Sequence, residues 1–147
     1  MLRALVRISP ALLLTACAMT PAADSAKTAK ACYHRNAAIE IDIGYCEAIR
    51  IGNTLHVSGV VGQGDMPAAM HKAYDTIRQT LAANGFEFRH VIKENVYATD
   101  LDAFIRNKDI RKEYYGTDVP AATWVQVQRL YLPAFVVEIE VTAELPK

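Results

Sequence analysis

Between Val119 and Thr142 the chain alternates apolar and polar positions in two β-like runs, which flank a break at Leu132-Pro133-Ala134. The proline there has no N–H to give a central ladder. In the first run Val125 and Val127 fall on one face, with Trp124, Gln126 and Gln128 on the other. In the second, Val137, Ile139 and Val141 alternate with Glu138, Glu140 and Thr142. Period-two alternation in β-branched residues predicts half-buried antiparallel strands. A carboxylate in mid-strand, Glu138, faces either water or a ligand pocket.

The preceding chain supplies the other elements. Ile39, Ile41 and Ile43 alternate with Glu40 and Asp42, which predicts a first strand or extended arm over 37–43, ended by Gly44. Tyr45 to Arg50 continues extended, Gly52-Asn53 makes a tight turn, and Thr54 to Val61 is a further strand, so the two form a hairpin. Gly62-Gln63-Gly64 is a loop whose spacing does not match a dinucleotide fingerprint. Asp65 is a helix N-cap with Pro67 in the first turn, and Met70, Ala73, Tyr74, Ile77 and Leu81 recur at helical steps until Asn84-Gly85. His90 to Thr99 alternates as a strand. Asp100 or Asp102 caps a second helix running to about Tyr115, with Leu101, Phe104, Ile105, Ile110 and Tyr114 towards the core. The predicted order is β-β-α-β-α-β-β, an α+β fold with both helices on one face of a single sheet. The other face then has no cover within the chain, which predicts an oligomer.

Composition adjusts this picture at the N-terminus. The 147 residues are 52% hydrophobic and 22% charged, enough for one domain with its own core. The net charge is zero, and no Lys/Arg cluster interleaves with aromatics, so no nucleic-acid partner is expected. Arg3 and Arg7 precede a short apolar run that ends in Leu14-Thr15-Ala16-Cys17, which fits a lipobox. Residues 1–17 are therefore expected to be a lipoprotein signal segment, with Cys17 lipidated and the protein held at the periplasmic face of the outer membrane; a plain signal peptide would leave it soluble in the periplasm. Residues 18–36 read as a flexible tether and 37–147 as the domain. Cys32 and Cys46 can pair in an oxidising compartment or remain two thiols, and the sequence leaves both open. No Cys/His spacing suggests a metal site, no cofactor is expected, and His34, His56, His71 and His90 receive no role.

The run Pro120-Ala121-Ala122-Thr123, continuing through Val125, Val127, Leu130 and Pro133 to Val137-Glu138-Ile139-Glu140, resembles the C-terminal signature of the Rid family, also called the YjgF or UK114 family. Gly52, Leu55, Ser58 and Gly59 match a second segment of the pattern. The resemblance covers roughly residues 40–145 and implies a chorismate-mutase-like homotrimer with small-molecule clefts between subunits. It also implies hydrolysis of enamines and imines, the 2-iminobutanoate/2-iminopropanoate deaminase reaction. By that resemblance Glu138 positions the attacking water, while Tyr45, Ser58, Ala122 and Thr123 line the ligand site. The family pattern has an arginine, which grips a substrate carboxylate, where this chain has Ala122. A methyl group cannot make that bidentate pair. The reading is then ligand binding or altered hydrolase chemistry; the alternative is a non-enzymatic, lipid-anchored trimer that binds or scaffolds a protein partner.

Overall fold

The structure, a computed structural model, describes residues 29–146. In chain order the elements are β1 (Lys30–Tyr33), α1 (Ala37–Ile43), β2 (Ala48–Ile51), β3 (Thr54–Gln63), α2 (Met66–Ala83), a single 3-10 turn (Phe88–His90), β4 (Val91–Ala98), α3 (Leu101–Arg106), α4 (Asp109–Tyr115), β5 (Ala121–Gln126) and β6 (Phe135–Glu144). The strands form one six-stranded sheet in the order β1-β2-β3-β6-β4-β5. Every pairing is antiparallel except β4 with β5. That pair is parallel because α3 and α4 carry the chain back across the sheet between them.

The longest helix anchors the core. Asp65 caps α2 by accepting from the Ala68 N–H, and Pro67 occupies its first turn. Met70, Ala73, Tyr74, Ile77 and Leu81 are fully buried against Leu55 and Val57 of β3 and Val137, Ile139 and Val141 of β6. The alternation of β6 therefore divides as its sequence predicts, with valines and isoleucine under α2 and Glu138, Glu140 and Thr142 on the opposite face. β3 departs from simple alternation. Val57 pairs with Val141 but Val60 pairs with Ile139, so β3 carries one extra residue at Ser58-Gly59. This bulge lets Val57 and Val60 both face the core and re-aims the residues between them.

A buried carboxylate ties the helices to the sheet. Glu94 of β4, with no solvent exposure, accepts hydrogen bonds from Tyr74 Oη of α2 (3.0 Å), Tyr115 Oη of α4 (2.9 Å), Arg111 Nε of α4 (2.6 Å) and Trp124 Nε1 of β5 (3.3 Å). Burial and the Glu94 charge push both tyrosine hydroxyls far above their ordinary range, so they stay protonated and donate.

Four expectations are corrected. Residues 37–43 are helix, not strand: Ile39, Ile41 and Ile43 are more than half exposed while Glu40 is buried. Local hydrogen bonds decide this. Asn36 Oδ1 accepts from the Ile39 N–H, Glu40 Oε1 accepts from the Arg35 and Asn36 N–H groups, and Gly44 closes the helix at φ +92°. The second helix is two, since Asn107 turns its Nδ2 back onto Ala103 O and ends α3. The run from Val119 is not antiparallel: β5 stops at Gln126 and lies parallel to β4 at the sheet edge. Finally, the ordered fold starts before residue 37. Residues 30–33 of the expected tether form β1 against β2, and Cys32 is bonded to Cys46 across a Cα separation of 5.6 Å. The signal segment and Cys17 lie outside the described residues.

Removing one partner from the Glu94 cluster leaves a buried charge uncompensated. Arg111→Met is expected to lower stability by about 3–5 kcal/mol in urea unfolding. Lys112→Ala, which breaks the exposed pair with Asp109, is expected to leave the midpoint unchanged. Equal losses from the two changes would contradict the role given to Glu94.

Candidate functional site

Glu138 sits in the middle of β6, paired with Val61 of β3 on one side and Tyr97 of β4 on the other. Its carboxylate lies across the bulge in β3, where a side chain would block it: a Cβ built on Gly59 would overlap Glu138 Oε1 and crowd its Cδ and Cγ. The bulge and the glycine together make room for this acid. Around it is a cavity of about 570 Å³, walled by Ile39 and Ile43 of α1, by Tyr45, by Ser58 and Val61 of β3, and by Tyr131, Leu132 and Phe135. Burial, and then the neighbouring charge of Glu140, raise the Glu138 carboxyl above its ordinary value.

Three predicted site residues therefore meet in one place. Tyr45 is a partly exposed wall of the cavity, and its hydroxyl is held up in pKa by burial and by the charges of Glu40 and Glu47, with Arg35 opposing. Ser58 also lines it, but its Oγ donates to Cys46 O at 2.7 Å and its N–H donates to Glu47 O, so the hydroxyl clips β3 to the segment before β2. Its lone pairs remain available to a ligand. Ala122 and Thr123 are elsewhere. They lie on β5, two strands from β6, in register with Glu94 and Asn95, and Thr123 Oγ1 accepts from Lys93 Nζ at 2.8 Å. Within one chain they do not reach the Glu138 cavity.

Arg129 shares a shallower depression with Tyr97, Glu138 and Glu140 but turns onto its own backbone, donating to Leu130 O and Tyr131 O. Among the described residues it makes no ion pair with Glu138. Glu140 instead accepts from Asn95 Nδ2 (2.7 Å) and Tyr97 Oη (3.2 Å) on the sheet face opposite α2.

An adjoining cavity of about 510 Å³ shares Tyr45, Gly59, Val61 and Phe135 and adds Arg35, Glu47, Gln63 and Lys72. Arg35 is fixed there by Nε, which donates to buried Glu47 Oε1 at 3.2 Å; Thr80 Oγ1 donates to the same oxygen at 3.1 Å. Arg35 and Glu47 were not predicted site residues. Arg35 falls in the stretch read as tether, and the pairing of β1 with β2 together with the Cys32–Cys46 bond brings that stretch to the cleft. As to metals, Cys32, His34 and Cys46 place three ligand-type atoms within 4.8 Å of one another, but both sulfurs are joined in the disulfide.

The geometry around Gly59 makes a direct forecast. Its backbone is not in the left-handed region, and the overlap concerns the far end of a flexible side chain, so Gly59→Ala is expected to fold normally while turning Glu138 out of the cavity. Carbon-13 NMR of Glu138 reads the result: its carboxyl titrates above the ordinary 4.5 in the parent protein and moves back towards it in the variant. A raised carboxylate disfavours the folded state once ionised. Glu138→Gln should therefore match the parent in stability below the ordinary value and exceed it as pH rises through the raised one. A stability difference independent of pH would contradict the burial argument.

Comparison with known proteins identifies the fold's relatives. Residues 34–145 match the family model described as Endoribonuclease L-PSP. The RutC family protein YjgH of Escherichia coli is 32% identical over 111 residues, which is 70% of this chain and 84% of that protein. The 2-iminobutanoate/2-iminopropanoate deaminase of Dermatophagoides farinae is 25% identical over 95 residues, 58% of this chain and 74% of the relative. The crystal structure of Rv2704 from Mycobacterium tuberculosis, a YjgF/YER057c/UK114 family member, superposes with a TM-score of 0.74 at 27% identity, over 80% of this chain and 100% of that one. With its single sheet, the packed helices α2, α3 and α4 on one face of it and its match over nearly the whole described domain, the chain belongs to the Rid family, also named YjgF/YER057c/UK114.

Proposed function

We propose that the Glu138 cavity binds a small molecule and directs water onto it, a Rid-type hydrolysis of an imine or enamine altered by the absence of an arginine at position 122. The observation that carries this reading is the half-buried Glu138 carboxylate, raised in pKa and held over Gly59 at the wall of a cavity of molecular size. A carboxylate tuned towards neutrality accepts a proton from water as the oxygen adds to the C=N carbon and returns it to nitrogen; it then carries the hydroxyl proton of the carbinolamine to nitrogen as the C–N bond breaks and ammonia leaves. The product is the carbonyl compound. The naming of related proteins as 2-iminobutanoate/2-iminopropanoate deaminases supports the reaction class.

Ala122 bears on which substrate is used. Without the guanidinium, a desolvated substrate carboxylate loses about 2–5 kcal/mol of binding. The preferred ligand on this reading lacks that carboxylate. The sheet face opposite α2, carrying Asn95, Tyr97, Glu138 and Glu140, supports assembly as a homotrimer, in which another subunit's edge strand would bring Ala122 and Thr123 to the cleft. The run Leu14-Thr15-Ala16-Cys17 supports export and a lipid anchor on Cys17. The second reading, a lipid-anchored binding or scaffold trimer without catalysis, draws on Ala122 and on the lipobox that ends at Cys17.

Ammonia release from enzymatically generated 2-iminobutanoate tests the proposal. The parent protein is expected to act weakly, and Ala122→Arg to raise kcat/KM by about thirtyfold or more. Glu138→Gln in either background is expected to abolish the rate. If neither the parent nor Ala122→Arg releases ammonia above the uncatalysed rate, the hydrolase reading falls and the binding reading replaces it.

A further inference from the structure

The Cys32–Cys46 bond has chemistry around it that a passive staple does not need. Cys32 lies on β1, a four-residue strand at the sheet edge, and is exposed, while Cys46 is half-buried. His34 Nε2 stands 3.1 Å from Cys32 Sγ. On its other side His34 Nδ1 is 2.8 Å from Glu40 Oε2, a carboxylate whose side chain is 2% exposed. Glu40 is itself fixed through its second oxygen by the Arg35 and Asn36 N–H groups at 3.2 and 2.7 Å.

These contacts determine the imidazole's tautomer. Burial acts to raise Glu40, but the hydrogen bonds from the Asn36 backbone, from His34 and from the Glu47 backbone outweigh it and hold the carboxyl below its ordinary range. An ionised carboxylate only accepts, so Nδ1 carries the proton and Nε2 of the neutral ring presents a lone pair to the sulfur. A disulfide sulfur has no proton to give that lone pair. A thiol has one. Nucleophile, base and orienting carboxylate are thus in line for the reduced state, the arrangement that activates a cysteine.

We propose that Cys32 and Cys46 are a redox-active pair that exchanges with small thiols and disulfides, with Cys32 the reacting sulfur and His34, oriented by Glu40, its proton acceptor. In the reduced protein His34 Nε2 takes the Cys32 proton. The thiolate attacks one sulfur of a small disulfide, forming a mixed disulfide at Cys32 and expelling one thiolate. Cys46 then attacks Cys32 Sγ, expels the second thiolate and closes the Cys32–Cys46 bond. The protein loses two electrons and two protons, and the small disulfide becomes two thiols. A small thiol in excess, acting as reductant, runs the same steps backwards. This activity is independent of the Glu138 cavity and of any hydrolysis there.

The chain has three cysteines, so Cys17→Ser in the full-length protein leaves only this pair to titrate. In mixtures of reduced and oxidised glutathione, followed by maleimide trapping, the folded protein is expected to move reversibly between forms with no free thiol and with two. In the further variant Cys46→Ser, Cys32 is expected to show ultraviolet thiolate absorbance at neutral pH. It should also react with iodoacetamide about tenfold faster than when His34→Gln is added. The proposal is overturned if the bond stays closed in the folded protein under excess reduced glutathione, which would make it a staple only. It is equally overturned if the Cys32 thiolate forms only in the alkaline range of free cysteine, a measurement that needs no change at His34.

Discussion

The architecture depends on a single buried charge. Glu94 is removed from water on a central strand, and leaving it unpartnered would cost more than a domain of this size can lose. Its oxygens are instead satisfied by four donors from three other elements. Arg111 neutralises it while lying 4.6 Å from the Tyr115 ring centre and 5.7 Å from that of Trp124, so the guanidinium is itself enclosed by aromatic faces. The edge strand β5 gains most. It is paired on one side only, and Trp124, donating to Glu94 and packed edge-on against Phe104, is what locks its register. The position of Ala122, two residues earlier, follows from that lock.

Structure and chemistry are divided between the two faces of the sheet. The helix side holds the aliphatic core and the Glu94 cluster. The opposite side presents Asn95, Tyr97, Glu138 and Glu140. The bulge at Ser58-Gly59 joins the two, because it keeps Val57 and Val60 in the core while opening a gap for the Glu138 carboxylate. A regular strand would place a side chain in that gap. Stability and site geometry are thus served by the same irregularity.

How much of this could be read from the sequence varies by element, for physical reasons. α2 and β6 were legible because each buries one face only, so their periods appear directly in the residue pattern. Glu138, Tyr45 and Ser58 were found through the family signature and do line one cavity. The Ile-Glu-Ile-Asp-Ile stretch misled because capping by Asn36 and Glu40 overrides an alternation that looks like strand, leaving its isoleucines exposed, Ile39 and Ile43 on the cavity side. Glu94 gave no sign, since a lone Glu in a strand looks the same whether it is solvated or holds four donors. Arg35 and His34 could not be placed without β1 and the disulfide. Their stretch is polar and low in apolar content, and it returns to the domain through the β1–β2 ladder and a cross-link between cysteines fourteen residues apart, neither of which its composition announces.

The charge around Glu138 bears on the ligand. Among the residues walling its cavity, Glu138 is the one ionisable acid, and the nearest further charge acting on it is another carboxylate, Glu140. Arg129, the basic residue beside it, spends its donors on main-chain carbonyls, and Arg35 in the adjoining cavity is paired to Glu47. Within one chain the site is therefore acidic, and position 122 adds a methyl group where the family signature has a guanidinium. An anionic ligand would face the Glu138 carboxylate, with Arg129 turned onto main-chain carbonyls and Lys72 only in the adjoining cavity, whereas a cationic imine would be drawn to an ionised Glu138. A protonated imine is also the more electrophilic form towards water. On the proposed hydrolysis, Ala122 and Glu138 are compatible with one chemistry, in which the cleft would forgo recognition of a carboxylate while Glu138 would handle water.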